Sequence, residues 1–126
     1  MKLLLLVAAG GAFGSAARYL VNISAAALFG LAFPWGTMAV NVVGSFLMGL
    51  VIAFGAERLS MSEELRALIA VGFLGGFATF SAFSPDFAVL FERKDYGLAG
   101  LYLAGSVSLS ILALFAGLMV VRQWLT

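Results

Sequence analysis

Charge is confined to a few short clusters, and the intervals between them have the length a helix needs to cross a bilayer. Residues 35–56 and 96–121 carry no charged side chain, residues 3–24 carry only Arg18, and residues 67–91 carry only Asp86. The charges between these intervals gather at Glu57 and Arg58, at Glu63, Glu64 and Arg66, and at Glu92, Arg93, Lys94 and Asp95, with Lys2 and Arg122 near the two ends of the chain. A helix of about 20 apolar residues spans the hydrocarbon layer, and in lipid an open chain can satisfy its backbone polar groups only by forming helices. The intervals predict an all-α membrane protein with four transmembrane helices, at approximately 3–24, 35–56, 64–91 and 96–122, in one domain covering 1–126. Composition closes the alternatives. Hydrophobic residues make up 63% of the 126 and charged residues 10%, where an average soluble domain has about 25% charged. A soluble chain of this size leaves about a third of its surface exposed, so it would present large apolar patches to water. A formal net charge of +1 provides no field to recruit nucleic acid. With neither cysteine nor histidine, the chain lacks the usual thiol nucleophile, the commonest acid–base group and the usual zinc ligands. It is not read as an enzyme.

Local signals sharpen the span ends. Pro34 suits the start of the second helix, where its missing N–H costs little. Ser62 followed by Glu63 and Glu64 reads as the start of the third, with negative charge in the first turn. Trp35 and Trp124 fall near span ends, where amphipathic rings favour the membrane interface. Lys2 followed by an apolar run also resembles a secretory signal peptide, but the apolar pattern continues to Ile23. Gly10, Gly11 and Gly14 in that run make a face suited to close helix packing.

Four spans put both termini on one side, together with Lys2, Arg58, Arg66 and Arg122. The other side holds Arg93, Lys94 and, near the end of the first helix, Arg18. Orientation follows an excess of lysine and arginine, and the excess here is slight. Two readings stay open: cytoplasmic termini, or insertion in both orientations with pairing between inverted copies. Four short helices do not readily enclose a polar path, so a transport path would run between subunits.

Polar groups at membrane depth are the first functional candidates. Thr37, Asn41 and Ser45 recur at intervals of four and share one face of the second helix, as Tyr102, Ser106 and Ser110 share one face of the fourth. Such stripes serve either as glue between helices or as the lining of a path. The third span contains adjacent glycines, Gly75 and Gly76, and the hydroxyls Thr79, Ser81 and Ser84, which are poor material for a helix interior. A break there would have to be buried or line a cavity, and its freed carbonyls could bind a cation. The alternative is a continuous helix packed tightly through its glycines. Phe77, Phe80 and Phe83 recur every third residue. They either pack or, through the positive edges of their rings, line an anion path. Arg18 is the one basic residue inside the apolar intervals and by default extends to the interface.

The run Gly75-Gly76-Phe77-Ala78-Thr79-Phe80-Ser81-Ala82-Phe83-Ser84 strongly resembles the signature of the Fluc fluoride channels, the CrcB family, which reads Gly-Gly-x-Thr-Thr-Phe-Ser-Thr-Phe-Ser. Gly14-x-x-x-Arg18, Pro34-Trp35-Gly36-Thr37 and Asn41-Val42-Val43-Gly44 match the family in order, so the resemblance covers residues from about 10 to 120. It implies an antiparallel, dual-topology homodimer in the cell (inner or plasma) membrane, with the third helix broken mid-membrane, two fluoride pores and a structural Na⁺ at the dimer interface. By position Phe80 and Phe83 are implied to be the pore phenylalanines and Asn41 the pore amide donor. Thr79, Ser81, Tyr102, Ser106 and Ser110 match the polar positions along the path. The backbone carbonyls of Gly75 and Ala78 from both subunits would hold Na⁺. Ala78 and Ala82 replace two threonines of the pattern, and Asp86 stands where a glutamate is usual.

The implied activity is passive efflux. Fluoride enters acid-exposed cells as neutral HF, dissociates at the higher internal pH and is trapped as the ion, and a channel releases it down its gradient. Two rivals share this size. A four-helix proton-coupled multidrug exporter needs an intramembrane carboxylate, for which Asp86 is the candidate. A non-transporting membrane assembly subunit needs none.

Overall fold

Glycine and proline set the first helical boundary. In the computed structural model, which describes residues 1–57, 62–78 and 80–125 with the side chains at 56, 57, 80–82, 124 and 125 left aside, α1 runs over Lys2–Phe29. It stops at Gly30, whose φ of 83° lies in the region that favours glycine, with the Gly30 N–H bonded back to the Ala26 carbonyl at 2.9 Å. The helix outlasts the predicted limit of 24, because Ala25–Phe29 contains only good or neutral helix formers and nothing that breaks the ladder before Gly30. α2 spans Trp35–Glu57 and begins directly after Pro34, whose carbonyl accepts from Met38 N–H at 3.3 Å.

The third predicted span is divided. α3 (Glu63–Arg66) is capped as expected, the Ser62 hydroxyl accepting from Leu65 N–H at 3.1 Å. A π-helical segment, Ala67–Leu74, continues it and leads into the short turn α4, Gly75–Phe77. The ladder then ends: Ala78 is extended (φ −107°, ψ 132°), and helix resumes as α5 over Phe80–Glu92, with Pro85 inside it. Thr79 lies outside the described residues. α6 covers Tyr96–Leu125. Among the described residues, α1, α2 and α6 are long and apolar enough to cross a membrane, and no strand is present.

Two glycine contacts set the packing. On α2 and α6, a Cβ at Gly49 would run into the Leu114 carbonyl, and one at Gly117 into the Phe46 carbonyl, so the two backbones touch there. On α1, Gly10 and Gly14 lie against the backbone of Leu68 and Phe73, which realises the close-packing face expected from Gly10, Gly11 and Gly14. Both contacts have a direction. Thr37 and Tyr102 meet at one end of the α2–α6 pair through Asp86, and Gly49 and Gly117 meet farther along, so α2 and α6 run parallel. Gly10 and Gly14 meet Gly72 and Phe77 in rising order, so α1 and the π-helical segment are parallel too. The chain between α2 and α6 therefore returns along the length of the bundle.

One cluster of buried side chains lies where α5 meets α6. Phe33, Phe83, Leu90, Ala99 and Tyr102 form it, with Tyr102 fully enclosed. Elsewhere the outer faces are apolar: Leu4, Phe13, Leu28, Leu112 and Phe115 are all more than half exposed. In water that surface would aggregate, and in lipid it is the matching solvent.

Candidate functional site

The two predicted stripes face each other. Asn41 and Ser45 from α2, and Ser106 and Ser110 from α6, line a cleft of about 290 Å³ together with Val107 and Ile111. Ala78, at the interruption of the third span, and Phe83, in the second turn of α5, complete the wall. None of these lining residues is charged. Helical spacing explains the arrangement, because residues four apart stack on one face and parallel packing at Gly49 and Gly117 keeps the two faces in register.

The hydroxyl oxygens of Ser106 and Ser110 are buried and have no hydrogen-bond partner among the described residues. A buried polar group left unsatisfied costs about 1–3 kcal/mol, so both hydroxyls call for a partner from outside the described residues. Each hydroxyl can donate to an anion. The Phe83 ring is 5% exposed and stands 4.8 Å from the Tyr102 ring at 33°, so its face is used in packing on Tyr102.

One end of the seam is closed by a carboxylate. Thr37 Oγ1 donates to Asp86 Oδ2 at 2.6 Å and Tyr102 Oη donates to the same oxygen at 3.2 Å. Thr37 and Tyr102 are each the first member of their stripe, so Asp86 joins the two stripes where they begin. Tyr102 does not line the cleft. It lies behind Phe83 with its hydroxyl turned to Asp86, and an edge contact from Phe33 at 5.4 Å and 86° holds its other flank. Sequence placed Thr37 in the polar stripe of α2 and Asp86 only as the carboxylate of the exporter reading, without joining them. The available signal was that Asp86 is the single charge in residues 67–91.

Arg18 is part-buried, and its Nε donates to the Gly76 carbonyl at 3.2 Å. The Gly14 contact brings α1 close enough for the guanidinium to reach the end of α4 one turn farther on. Thr79 and the side chains of Phe80 and Ser81 fall outside the described residues, so of the predicted site residues the structure brings Asn41, Phe83, Ser106, Ser110 and Ala78 to one wall, with Tyr102 behind it.

For a metal, no group of three or more aspartate, glutamate, cysteine or histidine side chains gathers among the described residues. Backbone oxygens are the ligands on offer. The helical ladder stops at Phe77, and the space around Gly75 is open, the nearest atom to a Cβ built there being the Ala70 carbonyl oxygen at 3.9 Å. Such oxygens suit a hard cation.

Similarity to known proteins identifies the family. The family model for CrcB-like proteins (camphor resistance, CrcB) matches residues 5–118. The chain belongs to the CrcB family. Its relatives include the fluoride-specific ion channel FluC of Rhizobium etli, 54% identical over 118 residues that make up 94% of each chain. The fluoride-specific ion channel FluC of Agrobacterium fabrum is 52% identical over the same share of both chains. The protein of that name from Caulobacter vibrioides is 52% identical over 124 residues, 98% of each chain. As a CrcB-family member with three apolar membrane-length helices, the chain is a multi-pass integral membrane protein of the cell membrane and not an enzyme.

Proposed function

We propose that this CrcB-family chain is a fluoride channel that lowers cytoplasmic fluoride by passive efflux. The observation that carries the reading is the pair of orphaned buried hydroxyls, Ser106 and Ser110, facing Asn41 across a cleft with no charged lining. Fluoride is a small anion with a tightly held hydration shell. Amide and hydroxyl donors at close spacing replace that shell, and a lining without a fixed positive charge binds the ion weakly enough to release it. Phe83 contributes a ring edge, and Phe80 is the second phenylalanine of the path. By the family pattern Thr79 and Ser81 are the hydroxyls around the interruption, and Tyr102 continues the polar stripe of α6.

The active form is an antiparallel, dual-topology homodimer with two pores. Near-equal numbers of basic residues on the two sides support it, as does a cleft that is open along one flank of the lone chain. Each chain crosses four times, the third crossing being 63–92 with its interruption at mid-membrane. The parallel registers of α2 with α6, and of α1 with the π-helical segment, support this count, since each requires an intervening crossing in the opposite sense. A structural Na⁺ at the dimer interface is held by the Gly75 and Ala78 carbonyls of both subunits. The stopped ladder and the open surface at Gly75 support that placement.

The test is fluoride efflux from proteoliposomes containing the purified protein. Rapid efflux that needs no proton gradient is expected. Exchange of a cationic drug for protons, without fluoride conductance, would overturn the proposal in favour of an exporter.

A further inference from the structure

In an unbroken α-helix the Gly76 carbonyl would accept the N–H of residue 80. Among the described residues the last ladder bond before the interruption is Ala78 N–H to the Leu74 carbonyl, at 3.1 Å, and the Gly76 carbonyl accepts from the Nε of Arg18. Phe80 is the first residue of α5, where backbone N–H groups have no acceptor within their own helix. The guanidinium thus occupies the acceptor that a continuous third span would use.

We propose that Arg18 is a positioning residue that holds the third span open at Gly76–Ala78 by taking the place of the residue-80 N–H. Three features fit it for this. The bond is charge-assisted and therefore stronger than the amide bond it replaces. A cation at the carboxyl end of α4 also meets the negative end of the helical run that begins at Glu63. And its base on α1 is fixed, because Gly14 lies against Phe73 and Gly11 against Gly76 with no room for a side chain between the backbones. Arg18 therefore reads the position of one span relative to another, so that the interruption persists only while α1 and the third span are docked. The opened backbone carries Ala78 into the cleft wall and sets the start of α5, hence the placing of Phe83. The effect on conduction rests on the channel reading given above, whereas the effect on the backbone does not.

The experiment compares Arg18→Met, which keeps bulk and loses the donor, with Arg18→Lys, which keeps a charged donor. Hydrogen–deuterium exchange is followed on peptides covering residues 74–84 of the purified dimer, and fluoride efflux is measured per dimer in liposomes. With Arg18→Met, closure of the ladder slows exchange in the first turn of α5 by about tenfold or more, and flux falls by a similar factor. Arg18→Lys keeps parent-like exchange and most of the flux. If Arg18→Met does not yield a dimer by size-exclusion chromatography, Arg18→Leu replaces it, a side chain that likewise has no donor for the Gly76 carbonyl. Exchange in the neutral variant equal to that of Arg18→Lys and the parent would overturn the proposal. A parent that conducts no fluoride while the exchange difference persists would overturn the channel reading and leave this one standing.

Discussion

Ser106 and Ser110 separate a functional role from a structural one by the sign of their effect. A serine that acts as glue between helices loses a hydrogen bond on conversion to alanine. These two have none among the described residues to lose. Ser106→Ala and Ser110→Ala should therefore leave thermal stability unchanged or raise it, by up to about 1–3 kcal/mol, while lowering fluoride flux about tenfold. Thermal unfolding and efflux on the same preparations check both halves. Phe83→Leu fills most of the ring's volume, so its stability cost stays below about 1.5 kcal/mol, and flux should drop because leucine has no ring edge. Asn41→Asp replaces an N–H donor by an acceptor at nearly constant shape and should close the path in folded dimers. Asp86 obeys the opposite rule to the serines. Asp86→Ala strands the Thr37 and Tyr102 hydroxyls in a buried setting, at a cost of about 1–3 kcal/mol, to be read as a lowered melting temperature.

Helix packing by glycine gives a contrast within one element. Gly49 and Gly117 meet backbone across the α2–α6 contact, whereas a Cβ at Gly97 has nothing within 4 Å. Gly49→Ala and Gly117→Ala must push the helices apart and should reduce the yield of folded protein. Gly97→Ala, in the same α6 as Gly117, should be neutral or stabilising by about 0.5–1 kcal/mol, because it removes the conformational freedom of a helical glycine. Fluorescence-detected size-exclusion after heating distinguishes the two classes. At this scale much was legible in the chain itself. The Ser62 cap, the start of α2 after Pro34, the glycine face of α1 and the two polar stripes follow from residue type and spacing, which side chains carry openly. The π-helical segment does not. Ala67–Leu74 differs from an α-helix in which carbonyl each N–H reaches, and its apolar side chains leave no mark of that choice. The partner of Arg18 was hidden for a related reason: it is a backbone carbonyl 58 residues away, and a carbonyl has no letter in the sequence. The Thr37–Asp86 bond spans 49 residues, and the stripes alone did not indicate that a third helix would join them at one end.

For the whole molecule, the balance of basic residues between the two sides makes orientation the most exposed expectation. In the antiparallel dimer, cysteines introduced at the termini should be labelled from both faces of intact cells. Labelling from the cytoplasmic face alone would leave a parallel dimer or a monomer. The lone chain presents more than half of the surface of Leu4, Phe13, Leu28, Leu112 and Phe115, so lipid and a second copy must divide that surface between them.

The parallel contact between α2 and α6 also dictates an order of events during synthesis. Gly49 enters the membrane about 65 residues before its partner Leu114 is made, a delay of several seconds at roughly 5–20 residues per second. Through that interval the small-residue groove of α2 has only lipid beside it, and any neighbouring copy at the same stage offers an identical groove. A chain halted after residue 95 would keep that groove open permanently. Premature termination, more than point substitution, is thus the lesion expected to send this protein into non-native association and degradation.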